Sequence, residues 1–208
     1  MSTMTATRSA AIALSEERQA MQEGYVFLDE KCLLLAAAML GELRSLDAAK
    51  LRLAPLQSAA ATALAAALAR HGLQDLQSYP ASAQGSITVE LQQRLLLNVP
   101  LLCASTRLER VATLQPVHVS PEAEACRTAF LALAQQLQVM AATSGNLARL
   151  YREYRRSVRR VRALQDVLLP ELEAEMNQVL TQLEELERDE LLGAGWELPG
   201  TSGHHPQP

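Results

Sequence analysis

From Leu133 onward, mostly apolar residues recur at alternating spacings of four and three: Leu137, Met140, Ser144, Leu147, Tyr151, Tyr154, Val158, Val161, Gln165, Leu168 and Leu172. This heptad seam marks a helix that lies along another helix. After Leu172 the series resumes one residue late, at Met176, Val179, Leu183 and Leu186. An insertion of this kind is a stutter, which locally unwinds a left-handed supercoil. Pro170 lies beside it, lacks an amide donor, and is expected to kink the helix. The element spans about 65 residues, or roughly 100 Å at 1.5 Å per residue. A helix of that length needs a partner along its seam, because neither propensity nor an ordinary core sustains it in water.

The partner is the first part of the chain. From near Ser9 to about Leu76 the apolar positions include Leu14, Met21, Tyr25, Leu28, Cys32, Leu35, Met39, Leu43, Leu46, Leu53, Leu56, Ala60, Leu64 and Leu68. Their spacing again averages close to the 3.5-residue coiled-coil period. Gly24 and Pro55 interrupt it, at helix-interior costs of about 1 and about 3 kcal/mol relative to alanine. Gly24 is either tolerated or permits close helix approach, and Pro55 either kinks or divides the element. The alanine-rich run Ala59–Ala69 offers a narrow surface to a neighbour. His71-Gly72 reads as a stop, with glycine in the left-handed cap.

Between the helices the pattern changes. Tyr79-Pro80, Gly85, Pro100, Pro116 and Pro121 punctuate short apolar runs. Ser86–Leu91 alternates polar and apolar residues as a strand does, Leu95–Leu102 is a second run, and Val117-His118-Val119 a third. These predict a small hairpin with a short helix at the bend. Ser120-Pro121-Glu122 starts the second helix, with proline at its first position and acids in its first turn. Gly193-Ala194-Gly195 ends it. The expected organisation is a first long helix over 1–76, a bend insert over 77–121, a second long helix over 122–192, and a disordered tail over 193–208. The fold class is all-α: a long antiparallel two-helix coiled coil, or helical hairpin, with a small mixed insert (short β-hairpin and helix) at the bend. The coiled-coil seam is assigned to Leu35, Met39, Leu137, Met140, Leu147, Tyr154, Val158, Val161, Val179, Leu183 and Leu186.

Composition supports this and removes other classes. Aromatics are 3% of the 208 residues and Gly and Pro are few, as in long helices rather than sheets. A net charge of −4 and the scarcity of stacking aromatics argue against nucleic-acid binding. Cys32, Cys103 and Cys126 are odd in number, far apart and without a secretory signal, so they read as reduced cytosolic thiols. The longest uncharged run, Leu53–Ala69, contains Pro55, Gln57 and Ser58 and is too weakly apolar for a membrane span. A transit peptide over residues 1–14 is opposed by Glu16 and Glu17.

Candidate chemistry is sparse. His71 and His118 lack neighbours at metal-ligand spacing, and His204-His205 lies in the tail. No phosphate-binding glycine motif is present, and Ser144-Gly145-Asn146 lacks the strand–turn–helix setting of a nucleophile elbow. No catalytic residue, cofactor or metal is expected. The conspicuous feature is a basic belt, Arg149, Arg152, Arg155, Arg156, Arg159, Arg160 and Arg162, followed by an acidic stretch from Glu171 to Glu190. It reads either as a solvated helix face with i,i+4 pairs or as a collar for an acidic partner surface.

Certain segments carry a resemblance. Tyr154–Leu172, with its Arg-Arg-Val-Arg-Ala-Leu-Gln core and Pro170-Glu171-Leu172, resembles the signature of the D subunit of V-type and A-type rotary ATPases. Leu183–Glu190 is similar to the family's acidic ending, Glu23–Lys31 to its Gly-Tyr stretch, and Asn98-Val99-Pro100 to its insert segment. Arg162, Gln165 and Cys32-Leu33 depart from the pattern, so the chain looks like a divergent member and contacts at those positions are not carried over. The resemblance implies a non-catalytic central-stalk rotor shaft. Its partners would be the hexameric head of catalytic A- and B-type subunits, the small F-type protein of the central stalk, and an adaptor on the membrane ring, without nucleic acid and without a direct membrane span. Its place would be cytoplasmic, peripheral to the membrane within a membrane-bound complex. By the same resemblance, head contacts fall to Tyr25, Leu28, Lys31, Arg156, Arg159, Arg160, Leu168, Leu172, Glu184 and Glu187, and residues 77–121 meet the small stalk protein and the adaptor. The alternative is a stand-alone helical-hairpin scaffold or chaperone-like protein that grips unrelated clients.

Overall fold

The computed structural model describes residues 7–79, 87–108 and 119–195. The chain is a helical hairpin carrying a two-stranded insert. Helix α1 spans Arg8–Ser78, strands β1 (Ile87–Leu96) and β2 (Val99–Leu108) form an antiparallel pair, and helix α2 spans Pro121–Ala163. A π-helical turn, Leu164–Leu168, joins α2 to helix α3, Leu169–Gly195. Two compact units result, Met1–Glu30 with Val158–Pro208, and Lys31–Ser157.

In the first unit, Leu14 of α1 and Leu172 and Val179 of α3 form the buried cluster, flanked by Ala11, Met21 and Leu183. Arg8 pairs with Glu187 at 2.6 Å and Arg18 with Glu173 at 3.2 Å, which fixes the antiparallel sense. These pairs are solvent-exposed and screened by water, so they set direction more than they add stability. The π-helical turn, Leu164–Leu168, lies just ahead of the point after Leu172 where the heptad series slips. The Leu169 N–H reaches back to the Leu164 carbonyl, one residue further than an α-helical bond. Pro170 follows at once and offers no N–H to Gln165 or Asp166.

In the second unit, Leu35, Val99, Leu101 and Leu150 are the buried centre, with Ala38, Met39, Leu97 and Tyr154 packed around them. Lys31 pairs with Glu153 at 2.6 Å, and Gln136 donates to the Ala49 carbonyl at 3.0 Å. Ala49, Ala60 and Ala67 are buried, so the small side chains of α1 do face a packed surface. Pro55 sits within α1 without dividing it, and the non-helical dihedrals of that helix are confined to Gly72 (φ 73°, ψ 172°). That conformation is open to glycine alone. The expected stop at His71-Gly72 is therefore a break, after which helix continues to Ser78. At Gly24 a Cβ would meet nothing within 4 Å, so the glycine is not there for close approach.

The start of α2 follows its sequence. Ser120 caps it: its Oγ accepts from the Ala123 N–H at 3.2 Å, and its carbonyl accepts from the Glu124 N–H at 3.1 Å. The Glu122 carboxylate lies below the usual carboxylate range, chiefly through a hydrogen bond from its own backbone N–H. Burial opposes this, while Ser120, Arg70 and His71 add to it.

The hairpin departs from expectation. The apolar run Leu95–Leu102 is not one element but folds around a two-residue turn at Leu97 (φ 50°) and Asn98 (φ 67°). Two positive φ values define the turn type whose twist matches antiparallel strands. Asn98 suits it, whereas Leu97 is strained and is held there by packing on the Leu35 cluster. The hairpin also does not simply cap the bend. It lies back along the helices, with Thr106 bonded to Gln138, Leu102 to Asn146, and Leu101 packed with Leu150. No short helix accompanies it among the described residues, and the run Val117-His118 and the tail from 196 lie outside them.

Candidate interaction surfaces

The apolar stripe of α2 is wider than its contacts use. Its buried residues are Ala123, Thr143, Asn146, Leu150 and Ser157. The last four precede the seam positions Ser144, Leu147, Tyr151 and Val158 by one residue. The cause is the hairpin: β2 packs on one flank of α2 while α1 packs on the other, and burial is deepest on the line between them. Of the seam assigned from sequence, Leu35 and Val179 are buried, while Met39, Met140, Leu147, Tyr154, Val158, Val161 and Leu183 are half-buried. Leu137 and Leu186 are exposed, at 45% and 52%.

The uncovered flank in the second unit is an apolar groove of about 650 Å³. Ala36, Met39, Leu40 and Leu43 line it from α1, and Ser144, Leu147, Ala148, Tyr151 and Tyr154 from α2. Leu40 and Tyr151 are more than half exposed. The groove runs between two helices and offers few polar groups, so what fits it is the apolar face of a third helix. Sequence reading assigned Met39, Leu147 and Tyr154 to the seam, and these line its wall.

Asn146 is the residue that sequence reading missed. At 4% exposure it accepts from the Leu102 N–H at 2.7 Å and donates to the Leu102 carbonyl at 2.9 Å. Its amide thus takes the place of a neighbouring strand for β2. Arg149 donates to the same Asn146 Oδ1 at 3.2 Å. The signal available was a polar residue one position from an apolar seam, a weak cue without knowledge of the hairpin's path.

The basic belt is exposed at Arg152, Arg155, Arg156, Arg159, Arg160 and Arg162. None of these makes an ion pair among the described residues, and the Arg155 guanidinium lies 5.8 Å from the centroid of the Tyr151 ring. Of the residues expected to contact a head, Tyr25 and Leu28 are half-buried, and Leu168, Arg156, Arg159, Arg160 and Glu184 are exposed. Lys31 is engaged internally with Glu153, Glu187 with Arg8, and Leu172 lies in the buried cluster with Leu14. The side chains of those three serve the helical pair itself.

At the bend, His71 Nε2 lies 2.6 Å from Ser120 Oγ, Tyr79 OH accepts from the Ser120 N–H at 3.0 Å, and the Arg127 guanidinium covers the Tyr79 ring at 4.8 Å. Ser120 Oγ is committed to capping α2, so the His–Ser contact is a structural clasp. No group of metal-ligating residues occurs among the described residues. No helix among them is long and apolar enough to cross a membrane.

These surfaces define an interaction protein built on paired helices, with an open apolar groove and an uncompensated basic belt. The chain matches the family model for the D subunit of ATP synthases over residues 10–193 and belongs to that family, as a stalk component of the V/A-type rotary ATPases. No curated protein sequence matches it.

Proposed function

We propose that this chain is the rotor shaft of the central stalk, transmitting torque between a hexameric catalytic head and the ion-translocating ring of the membrane. Its family match over residues 10–193 carries this reading. The paired helices support it physically, since torque passes along a shaft only where its two strands cannot slide. The Leu14–Leu172–Val179 and Leu35–Leu150 clusters, with the Lys31–Glu153 pair, oppose such sliding.

In this reading the chain performs no chemistry of its own. The head of A- and B-type subunits grips the unit built from the start of α1 and from α3, through Tyr25, Leu28, Leu168 and Glu184. Arg156, Arg159 and Arg160 meet acidic surfaces of the head or of a stalk partner. Arginine's several donors suit a contact that re-forms on successive subunits. The groove of Leu40, Leu147 and Tyr151 receives a helix of the small F-type stalk protein, and the bend meets the adaptor. The chain then lies in the cytoplasm, peripheral to the membrane.

Reconstitution with the paired catalytic subunits and the small stalk protein tests this. One copy per hexamer is expected, and Leu40→Asp with Leu147→Asp should release the small stalk protein while the head stays bound. A chain that binds no head, or binds it in several copies, would return the reading to a stand-alone scaffold.

A further inference from the structure

The two edges of the hairpin are treated differently. Asn146 closes the outer edge of β2 by bonding both the N–H and the C=O of Leu102. Because Leu102 turns these groups away from β1, its cross-strand partner Gln93 must turn its own away from β2. The same parity applies to Val89, Leu91 and Leu95. Pro100 agrees with it: it lies opposite Leu95, where no cross-strand N–H is required. Among the described residues nothing bonds this outer edge of β1. Val89, Leu91 and Leu95 are exposed there, and no proline or lysine interrupts the strand. Protein edges are ordinarily blunted by such residues or covered. Among the described residues, one edge is covered and the other is left open.

The open edge is self-complementary. Antiparallel pairing of two β1 strands that brings their outward groups face to face allows a two-fold axis at Gln92. In that register Glu90 lies opposite Arg94 of the second copy, Val89 opposite Leu95, and Leu91 opposite Gln93, each contact occurring twice. Glu90 is within 2.8 Å of Arg107, and Arg94 is 3.7 Å from Glu42. Both are pairs with an exposed arginine, and both leave hydrogen-bonding positions on the guanidinium or carboxylate for a second partner. We propose that the unassembled chain dimerises through β1, forming a four-stranded intermolecular sheet about Gln92. This goes beyond the rotor reading, in which one copy enters the head.

Sedimentation equilibrium of the full chain over a concentration series should show a monomer–dimer equilibrium. Glu90→Arg and Arg94→Glu each place like charges opposite one another at two symmetric contacts, and each should weaken dimerisation by about tenfold. An equimolar mixture of the two variants restores opposite charges at both contacts and should dimerise again. Gln93→Pro removes an outward N–H without touching the β1–β2 ladder and should abolish pairing. Circular dichroism checks that every variant remains helical. In a Cys103→Ser background, Gln92→Cys should yield a disulfide-linked dimer on mild oxidation, because residue 92 meets its own copy. A chain that stays monomeric, a dimer insensitive to these changes, or a mixture that fails to re-associate overturns the proposal.

Discussion

Replacing Asn146 tests how the hairpin is held. Asn146→Ala removes the acceptor for the Leu102 N–H and the donor to its carbonyl, at a residue only 4% exposed. A buried group left without its partner costs about 1–3 kcal/mol. Leu102 is half-buried, so water reaches part of the vacated site and the lower half of that range applies to each group. The sum over the two groups is about 2–4 kcal/mol. Most of it should appear as local opening, because the Leu35–Leu150 packing of the helices does not depend on the amide. Hydrogen exchange is therefore the sharper assay. The Leu102 amide should exchange roughly thirty-fold faster or more, at about 1.4 kcal/mol per tenfold. Amides of α1 near Leu35 should change little. Asn146→Asp keeps the acceptor but sets a carboxylate against the Leu102 carbonyl, and should be no better than alanine. Unchanged protection at Leu102 in both variants would refute the claim that this side chain closes the edge of β2.

Three other outcomes follow from the packing. Leu172→Asp places an unpaired charge in the Leu14–Val179 cluster and should cost several kcal/mol, whereas Leu168→Asp, at a position 40% exposed, should cost much less; equal losses in urea unfolding would contradict the placement of that cluster. Gly72→Ala must adopt a glycine-only conformation and should destabilise by about 1–3 kcal/mol, while Gly24→Ala, with open space around its Cβ, should stabilise by about 0.5–1 kcal/mol; melting temperatures moving the same way in both would refute the contrast. The lowered pKa of Glu122 means that its contribution is present above the ordinary carboxylate value of about 4.3 and is lost as pH falls through the lower folded value. The melting-temperature gap between the native chain and Glu122→Gln should therefore narrow from about pH 6 towards about pH 3, and a constant gap would count against it.

The helices were legible because their signals are local and repeated. Seam spacing, the Ser120-Pro121-Glu122 start and the slip after Leu172 each depend on neighbours within a turn or two. The π-helical turn at Leu164–Leu168 was not legible, since the heptad spacing of Gln165, Leu168 and Leu172 runs through it unbroken. The hairpin turn was not legible. Leu97-Asn98 carries no glycine, and the positive φ of Leu97 is sustained by a cluster whose other members, Leu35 and Leu150, are distant in sequence. Strand alternation gave β1 its start near Ser86, but the apolar run Leu95–Leu102 concealed the reversal of direction inside it.

The seam also shows where periodicity stops being informative. A heptad pattern states that a stripe is apolar, not how many neighbours share it. On α2 the stripe serves α1 along one side and β2 along the other, which shifts deepest burial to Thr143, Asn146, Leu150 and Ser157. Leu147 and Tyr151, which follow Asn146 and Leu150 by one residue each, are left on the wall of the groove with Leu40. Two helices alone would have buried them. Their exposure follows from the hairpin's path, since the same packing that buries Leu101 against Leu150 leaves the opposite flank of the helical pair uncovered among the described residues. The stripe is therefore apolar over a greater width than α1 and β2 cover among the described residues. That surplus, rather than any catalytic group, is the mark of a protein that works inside an assembly.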